Sequence, residues 1–241
     1  MTKELAYRRV VLKISGEAFC KQEQFGISSE PLETFVKELL PVYQQGLQMG
    51  IVVGAGNFFR GRDLVNFRFL RRTTADAMGM LATVINALAL VDALTSKGIN
   101  ASAFSAIEIG RYCRPYRREE AIEKLNAGHV VILAGGTGNP FFTTDTCAAL
   151  RAAELDADAL FKATKVDGVF DGDPIVDPNA KKFDRITYSE MLSKQLAVMD
   201  LAAISLCMNA KIPVIVFKMD IPGNLLRVAT GEPIGTIIED E

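Results

Sequence analysis

Apolar residues fall into short unbroken runs, and the stretches between them carry helical spacing. Val10 to Ser15 is the first run. Ile51-Val52-Val53, Val130 to Ala134, Ala159 to Ala163 and Pro213 to Phe217 follow, and Ala101 to Phe104 fits a further one. Continuous rather than alternating apolar runs predict strands covered on both faces. Between them, Pro31 stands where a helix would start, and Leu32, Phe35, Val36, Leu39 and Leu40 keep the spacing of one helical face. Further helices are predicted over Thr74 to Ser96 (stopped by Gly98), Glu119 to Leu125, Thr144 to Leu155, Met199 to Asn209 and Leu225 to Ala229. The Gly-, Pro- and Asp-rich stretch Asp167 to Asn179 reads as a loop. Strand and helix alternate almost throughout, which predicts an α/β fold with a mainly parallel sheet.

The totals narrow this picture. At 241 residues the chain suits one large α/β domain or two small ones. A net charge of −2 argues against a broad nucleic-acid footprint. The N-terminal residues are polar and charged, so no signal peptide is expected. The most apolar stretch, Ala77 to Val91, is interrupted by Thr83 and Asn86. It falls short of the ~20 apolar residues a bilayer span needs and reads as a buried or subunit-facing helix. Cys20, Cys113, Cys147 and Cys207 form no CxxC pair, which fits a reducing cytoplasm better than a zinc site or disulfide framework. The only histidine, His129, directly precedes a strand, and a structural role suits it. Chemistry must then rest on Lys, Arg, Asp, hydroxyls, backbone and a metal brought by a ligand.

In a parallel sheet, ligands bind beyond the carboxyl ends of the strands. Glycine-bearing turns follow Ile14, Val53, Ala134 and Ala163, all at such ends. The richest is Gly135-Gly136-Thr137-Gly138-Asn139-Pro140-Phe141-Phe142-Thr143-Thr144-Asp145, between a strand and a helix N-terminus, an arrangement suited to an anion. It is neither familiar phosphate loop. No G-x-x-x-x-G-K-[ST] occurs, and neither Gly54-x-Gly56 nor Gly136-x-Gly138 is completed by the third glycine of the dinucleotide fingerprint.

Individual residues have two readings. Lys13 ends an apolar strand, where it either snorkels to water or faces a phosphate; Ser15 and Gly16 beside it favour the phosphate. Arg60 follows the Gly54 to Phe59 turn, whose glycines permit close backbone approach to a ligand. Arg62, Arg68, Arg71 and Arg72 suit a basic surface or the rim of an anionic site. Asp76 and Asp145 each read as carboxylates at a helix start, complementing its dipole, with Asp145 drawn toward function by Thr143 and Thr144.

Taken together, several segments resemble the amino acid kinase superfamily, and within it the bacterial uridylate (UMP) kinases. They are Leu12 to Ala18, Gly54 to Gly61, Asp76 to Thr83, Gly136 to Asp145, Lys162 to Phe170 and Val198 to Ala203. The resemblance implies a three-layer α/β/α sandwich formed by residues 1–241 as one domain. Its acceptor-binding part would cover about 1–157 and its ATP-binding part about 158–241. It implies Mg²⁺-dependent transfer of the ATP γ-phosphoryl to UMP, a homohexamer, UTP inhibition and GTP activation. ATP contacts would fall on Lys13, Ile14, Ser15, Gly16, Gly56, Arg60, Thr164, Phe170 and Asp173. UMP contacts would fall on Ala55, Asp76, Thr137, Gly138, Asn139, Pro140, Phe141, Phe142, Thr143 and Thr144. Lys13, Arg60 and Asp145 would carry the catalysis, with no metal ligand directly assigned and Mg²⁺ riding on ATP. Asp76 would take the ribose hydroxyls and Phe170 would pack beside adenine.

The chain departs from the family at three places, one of them the segment between Gly61 and Asp76, which is one residue longer and more basic than usual. Ala55 stands where glycine is usual, which keeps a backbone N–H contact if its φ is negative. The segment that carries GTP activation in the family reads Lys21, Gln22, Glu23, Gln24, Phe25, Gly26 and keeps only Phe25-Gly26 of the usual pattern. Two other readings stay open: a superfamily relative phosphorylating a carboxylate or carbamate, and a nucleotide-binding protein without turnover.

Overall fold

The structure, a computed structural model, describes residues 4–21, 24–59, 69–174, 176–196 and 198–240. Eleven short strands occur among these residues: β1 (Arg9–Ile14), β2 (Gln48–Val53), β3 (Ala101–Ser105), β4 (Arg114–Pro115), β5 (Val130–Ala134), β6 (Ala159–Thr164), β7 (Val169–Phe170), β8 (Lys182–Phe183), β9 (Arg185–Ile186), β10 (Val214–Lys218) and β11 (Thr236–Ile238). The helices are α1 (Ser29–Gln44), α2 (Arg72–Thr95), α3 (Arg118–Asn126), α4 (Thr144–Glu154), α5 (Tyr188–Ser193), α6 (Leu201–Ala210) and α7 (Asn224–Ala229).

Nine strands form one sheet in the order β4-β3-β5-β2-β1-β6-β10-β11-β9. Neighbours from β4 to β10 run parallel, and β10 pairs with β11 antiparallel. The central strands alternate between two cores, as strands covered on both faces must. Val10, Leu12 and Ile14 face one core, with buried residues of α1, α2 and α7. Val11, Val52 and Leu133 face the other, with buried residues of α3, α4, α5 and α6. This is the expected three-layer sandwich.

The order reverses direction at β1. The chain runs from β1 to β2, out to β3 and β4, and back to insert β5 between β2 and β3, then crosses to lay β6 against the other side of β1. The crevice above the carboxyl ends of β1, β2 and β6 is therefore the topological switch point, where open α/β sheets bind ligands.

Three expectations change. The Asp167 to Asn179 stretch is not all loop, since β7 lies within it and pairs antiparallel with β8. The sixth helix starts at Leu201 rather than Met199, because Asp200 caps it by accepting a hydrogen bond from the Ala203 amide. Helix α2 is 24 residues long and, by length and composition alone, apolar enough to cross a membrane. In the fold one side of it packs into the core while Leu81, Ile85 and Leu88 lie exposed. His129 has the structural role expected, its Nδ1 lying 3.0 Å from Ser102 Oγ.

Candidate active site

Lys13 and Lys162 are register partners on the adjacent parallel strands β1 and β6. Register partners project from the same face, so two cations would meet there at close range. Asp145, in the first turn of α4, stands between them. Its Oδ1 lies 2.9 Å from Lys13 Nζ and its Oδ2 lies 2.5 Å from Lys162 Nζ. The side chains of all three are largely buried. Burial by itself would raise the Asp145 pKa, but the charges of Lys13 and Lys162 and their hydrogen bonds outweigh it and hold the carboxyl below its ordinary value. The Lys162 pKa is lowered, by burial first and by the charge of Lys13 second, with Asp145 pulling the other way. The two lysines share the single carboxylate that stands between them, with Asp200 acting on Lys162 from further off, so their ammonium groups are placed to meet a polyanion.

Helix α4 brings Asp145 there through its cap. Thr143 Oγ1 accepts hydrogen bonds from the amides of Asp145 (3.0 Å) and Thr146 (3.3 Å). Thr143 and Thr146 in turn donate their hydroxyls to Asp200, the cap of α6. Asp200 thus joins the starts of two helices beside the lysine pair.

The glycine turns close around this charge. Gly54 N–H donates to the Ile14 carbonyl at 2.9 Å, which ties the β2 turn to the β1 turn. A side chain on Gly16 would have its Cβ 2.3 Å from Asn57 Oδ1 and 2.6 Å from the Gly54 carbonyl oxygen, so only glycine permits that approach. Ala55 is not among the residues with positive φ, so alanine stands there without backbone strain. At the Gly135 turn, Gly138 adopts φ +81° with the Ala106 carbonyl oxygen 2.9 Å from where a Cβ would sit, so a bulkier residue is strained twice over. Phe141 holds φ +73°, an uncommon conformation for an aromatic residue, and its amide donates to Asp76 Oδ2 at 2.8 Å. Asp76 also accepts from Arg72 Nε, whose guanidinium lies 5.9 Å from the Phe141 ring centre. Asp76 lies one turn into α2 rather than at its start, so its observed partners are Arg72 and the Phe141 amide.

Thr164 ends β6, and its hydroxyl donates to the Val166 carbonyl at 2.5 Å. The following Lys165 forms an ion pair with Glu17, linking the β6 turn to the β1 turn. Phe170 is half-buried in β7, and Asp173 is exposed beyond it. The Phe25 ring packs edge-on against Phe58, and Gly26 N–H donates to the Asn57 carbonyl at 2.8 Å. Arg60, Arg62, Arg68, Gln22 and Glu23 lie outside the described residues.

The structure therefore brings Lys13, Ser15, Gly16, Gly54 to Asn57 and Asp145 into one neighbourhood, and joins Asp76 to the 137–144 loop through Phe141. Two members stand in the sequence analysis only within the resembling segments, with no catalytic role of their own. Lys162 carries the same signature as Lys13, a single lysine in an apolar strand. Asp200 precedes a helix that the hydrophobic pattern places two residues too early.

A strand-end lysine pair bridged by a helix-borne carboxylate, set among glycine turns at the switch point, defines a phosphoryl-transfer type of crevice. The amino acid kinase family model matches residues 8–218, and the chain belongs to that family. It is 48% identical over 237 residues to the uridylate kinase of Pseudoalteromonas atlantica, covering 98% of this chain and 96% of that one. Its structure superposes on that of UMP kinase from Bacillus anthracis with a TM-score of 0.94, at 37% identity over 98% of this chain and 97% of the other. The UMP kinase structure from Ureaplasma parvum aligns over 100% of both chains with a TM-score of 0.91 and 33% identity.

Proposed function

We propose that this protein is a nucleoside monophosphate kinase that reversibly transfers the γ-phosphoryl of ATP to UMP, giving ADP and UDP for pyrimidine nucleotide synthesis in the cytoplasm. The observation that carries the reading is the Lys13–Asp145–Lys162 cluster beside the Gly54 and Gly135 turns. The names of the relatives supply the uridine nucleotide.

The acceptor of such a reaction is already an anionic phosphate, so no general base is needed. The barrier lies in bringing two polyanions into line, and catalysis is positioning and charge neutralisation. Lys13 and Arg60 hold the transferring phosphoryl between donor and acceptor, with Lys162 adding a second fixed charge. Asp145 keeps both lysines aimed. Backbone N–H groups of the Gly54 and Gly135 turns complete the cradle. ATP lies along Lys13, Ile14, Ser15, Gly16, Gly56, Thr164, Phe170 and Asp173. UMP lies along Ala55, Asp76 and Thr137 to Thr144. These assignments divide the chain into an acceptor part, about 1–157, and an ATP part, about 158–241, of one domain.

Magnesium fits this site as a passenger of the nucleotide. Both oxygens of Asp145 are taken by lysines, and no group of three or more metal-ligating side chains occurs among the described residues. A cation carried in on the ATP phosphates would supply further neutralisation of phosphate charge. We further propose a homohexamer with UTP as feedback inhibitor.

The test is ADP release with UMP, CMP, glutamate or carbamate offered separately, with and without UTP and GTP. UMP-dependent release is expected. Release with glutamate or carbamate instead would overturn the reading, and so would tight binding of UMP and ATP without UDP. The Lys13→Ala variant is expected to lose ~10²-fold or more in kcat while keeping its fold by circular dichroism.

A further inference from the structure

Helix α2 is apolar along its buried side except at Thr83 and Asn86, 2% and 0% exposed. Buried polar side chains are costly unless bonded, and these two are fully engaged. They lie three residues apart, on one helical face. Thr83 Oγ1 accepts the Gly135 N–H at 2.8 Å and donates to the Met80 carbonyl at 2.6 Å. Asn86 Nδ2 donates to the Gly54 carbonyl and to Asn57 Oδ1, both at 2.8 Å, while its Oδ1 accepts from Asn57 Nδ2 at 2.8 Å. Asn57 in turn sits against Gly16, where no Cβ would fit. Turns at the ends of three strands therefore hang from two side chains of one helix.

We propose that Thr83 and Asn86 are positioning residues with divided duties: Thr83 sets the Gly135 turn, and so acceptor affinity, whereas Asn86 sets the Gly54 to Asn57 turn and, through Gly16, both nucleotides. The nucleotide part rests on the proposed function. The mechanical part does not, because it concerns the turns themselves.

Thr83→Val keeps the shape and removes the hydroxyl, leaving a buried N–H without its acceptor. It is expected to raise the KM for UMP about tenfold, leave the KM for ATP within about twofold, and be rescued by Thr83→Ser. Asn86→Ala is expected to raise both KM values. Amide hydrogen exchange without nucleotide is the second readout: Gly135 should exchange about tenfold faster in Thr83→Val and at the native rate in Thr83→Ser. Should Thr83→Val not fold, Thr83→Ala takes its place in both readouts. Unchanged exchange at Gly135, a failed serine rescue, or equal rises in both KM values for Thr83→Val would overturn the proposal. A wild-type protein inactive on UMP would overturn the proposed function instead, and the exchange measurement would still decide this one.

Discussion

In the proposed reaction Lys162 can hold phosphate only while protonated, and burial beside Lys13 makes it lose its proton more readily than an ordinary lysine. The alkaline limb of kcat/KM for ATP, which reports the free enzyme, should therefore fall below the usual lysine range. Asp145→Asn should push that limb lower still, because the largest influence raising the lysine's pKa is gone and only the weaker one of Asp200 remains. The same shift acts on stability. Unfolded Lys162 binds its proton more tightly than folded Lys162, so stability rises with pH between the two values. Asp145 works in the opposite pH range. Its folded pKa is depressed, so its contribution is complete above the ordinary carboxylate range and is lost as pH falls through the depressed value. Removing its charge leaves Lys13 and Lys162 facing each other without a carboxylate. Asp145→Asn should then lose about 3 kcal/mol at neutral pH. Inorganic phosphate should restore part of that loss, and more than it adds to the wild type, as thermal unfolding with and without phosphate would measure.

At the scale of elements, the long strands and helices were legible because apolar runs and helical spacing survive in the sequence. The strands β7, β8, β9 and β11 were not, since two or three residues carry no period and owe their pairing to neighbours brought from elsewhere. Helix α5 left one local sign that went unread, the capping box of Thr187 and Glu190. At the site, Lys13 was legible as a lone charge ending an apolar strand. Its pairing with Lys162 depends on β6 returning beside β1, a register no local pattern encodes. Thr83 and Asn86 were visible only as interruptions, and their bonds to Gly135 and Gly54 explain why an apolar helix contains them. The opposite side of α2 yields a prediction of its own. Leu81, Ile85 and Leu88 form an exposed stripe, about half exposed at the first two and 36% at the third. If α2 carries the proposed subunit contact, Leu81→Lys with Ile85→Lys should shift gel-filtration elution to a smaller species. Unchanged elution would exclude this face.

For the molecule as a whole, the decisive seam is the β1–β6 pair, where the two proposed parts of the chain share one sheet. Lys13 and Asp145 precede residue 158, and Lys162 follows it. Of the cluster, residues 1–157 supply Lys13 and Asp145, a couple of opposite charge. Only where β6 lies against β1 does a second lysine face that carboxylate. The paired cations that the proposed reaction needs therefore belong to neither segment but to their joining. The strand pairing that unites the two parts of the sheet is also what brings the second ammonium group to the crevice.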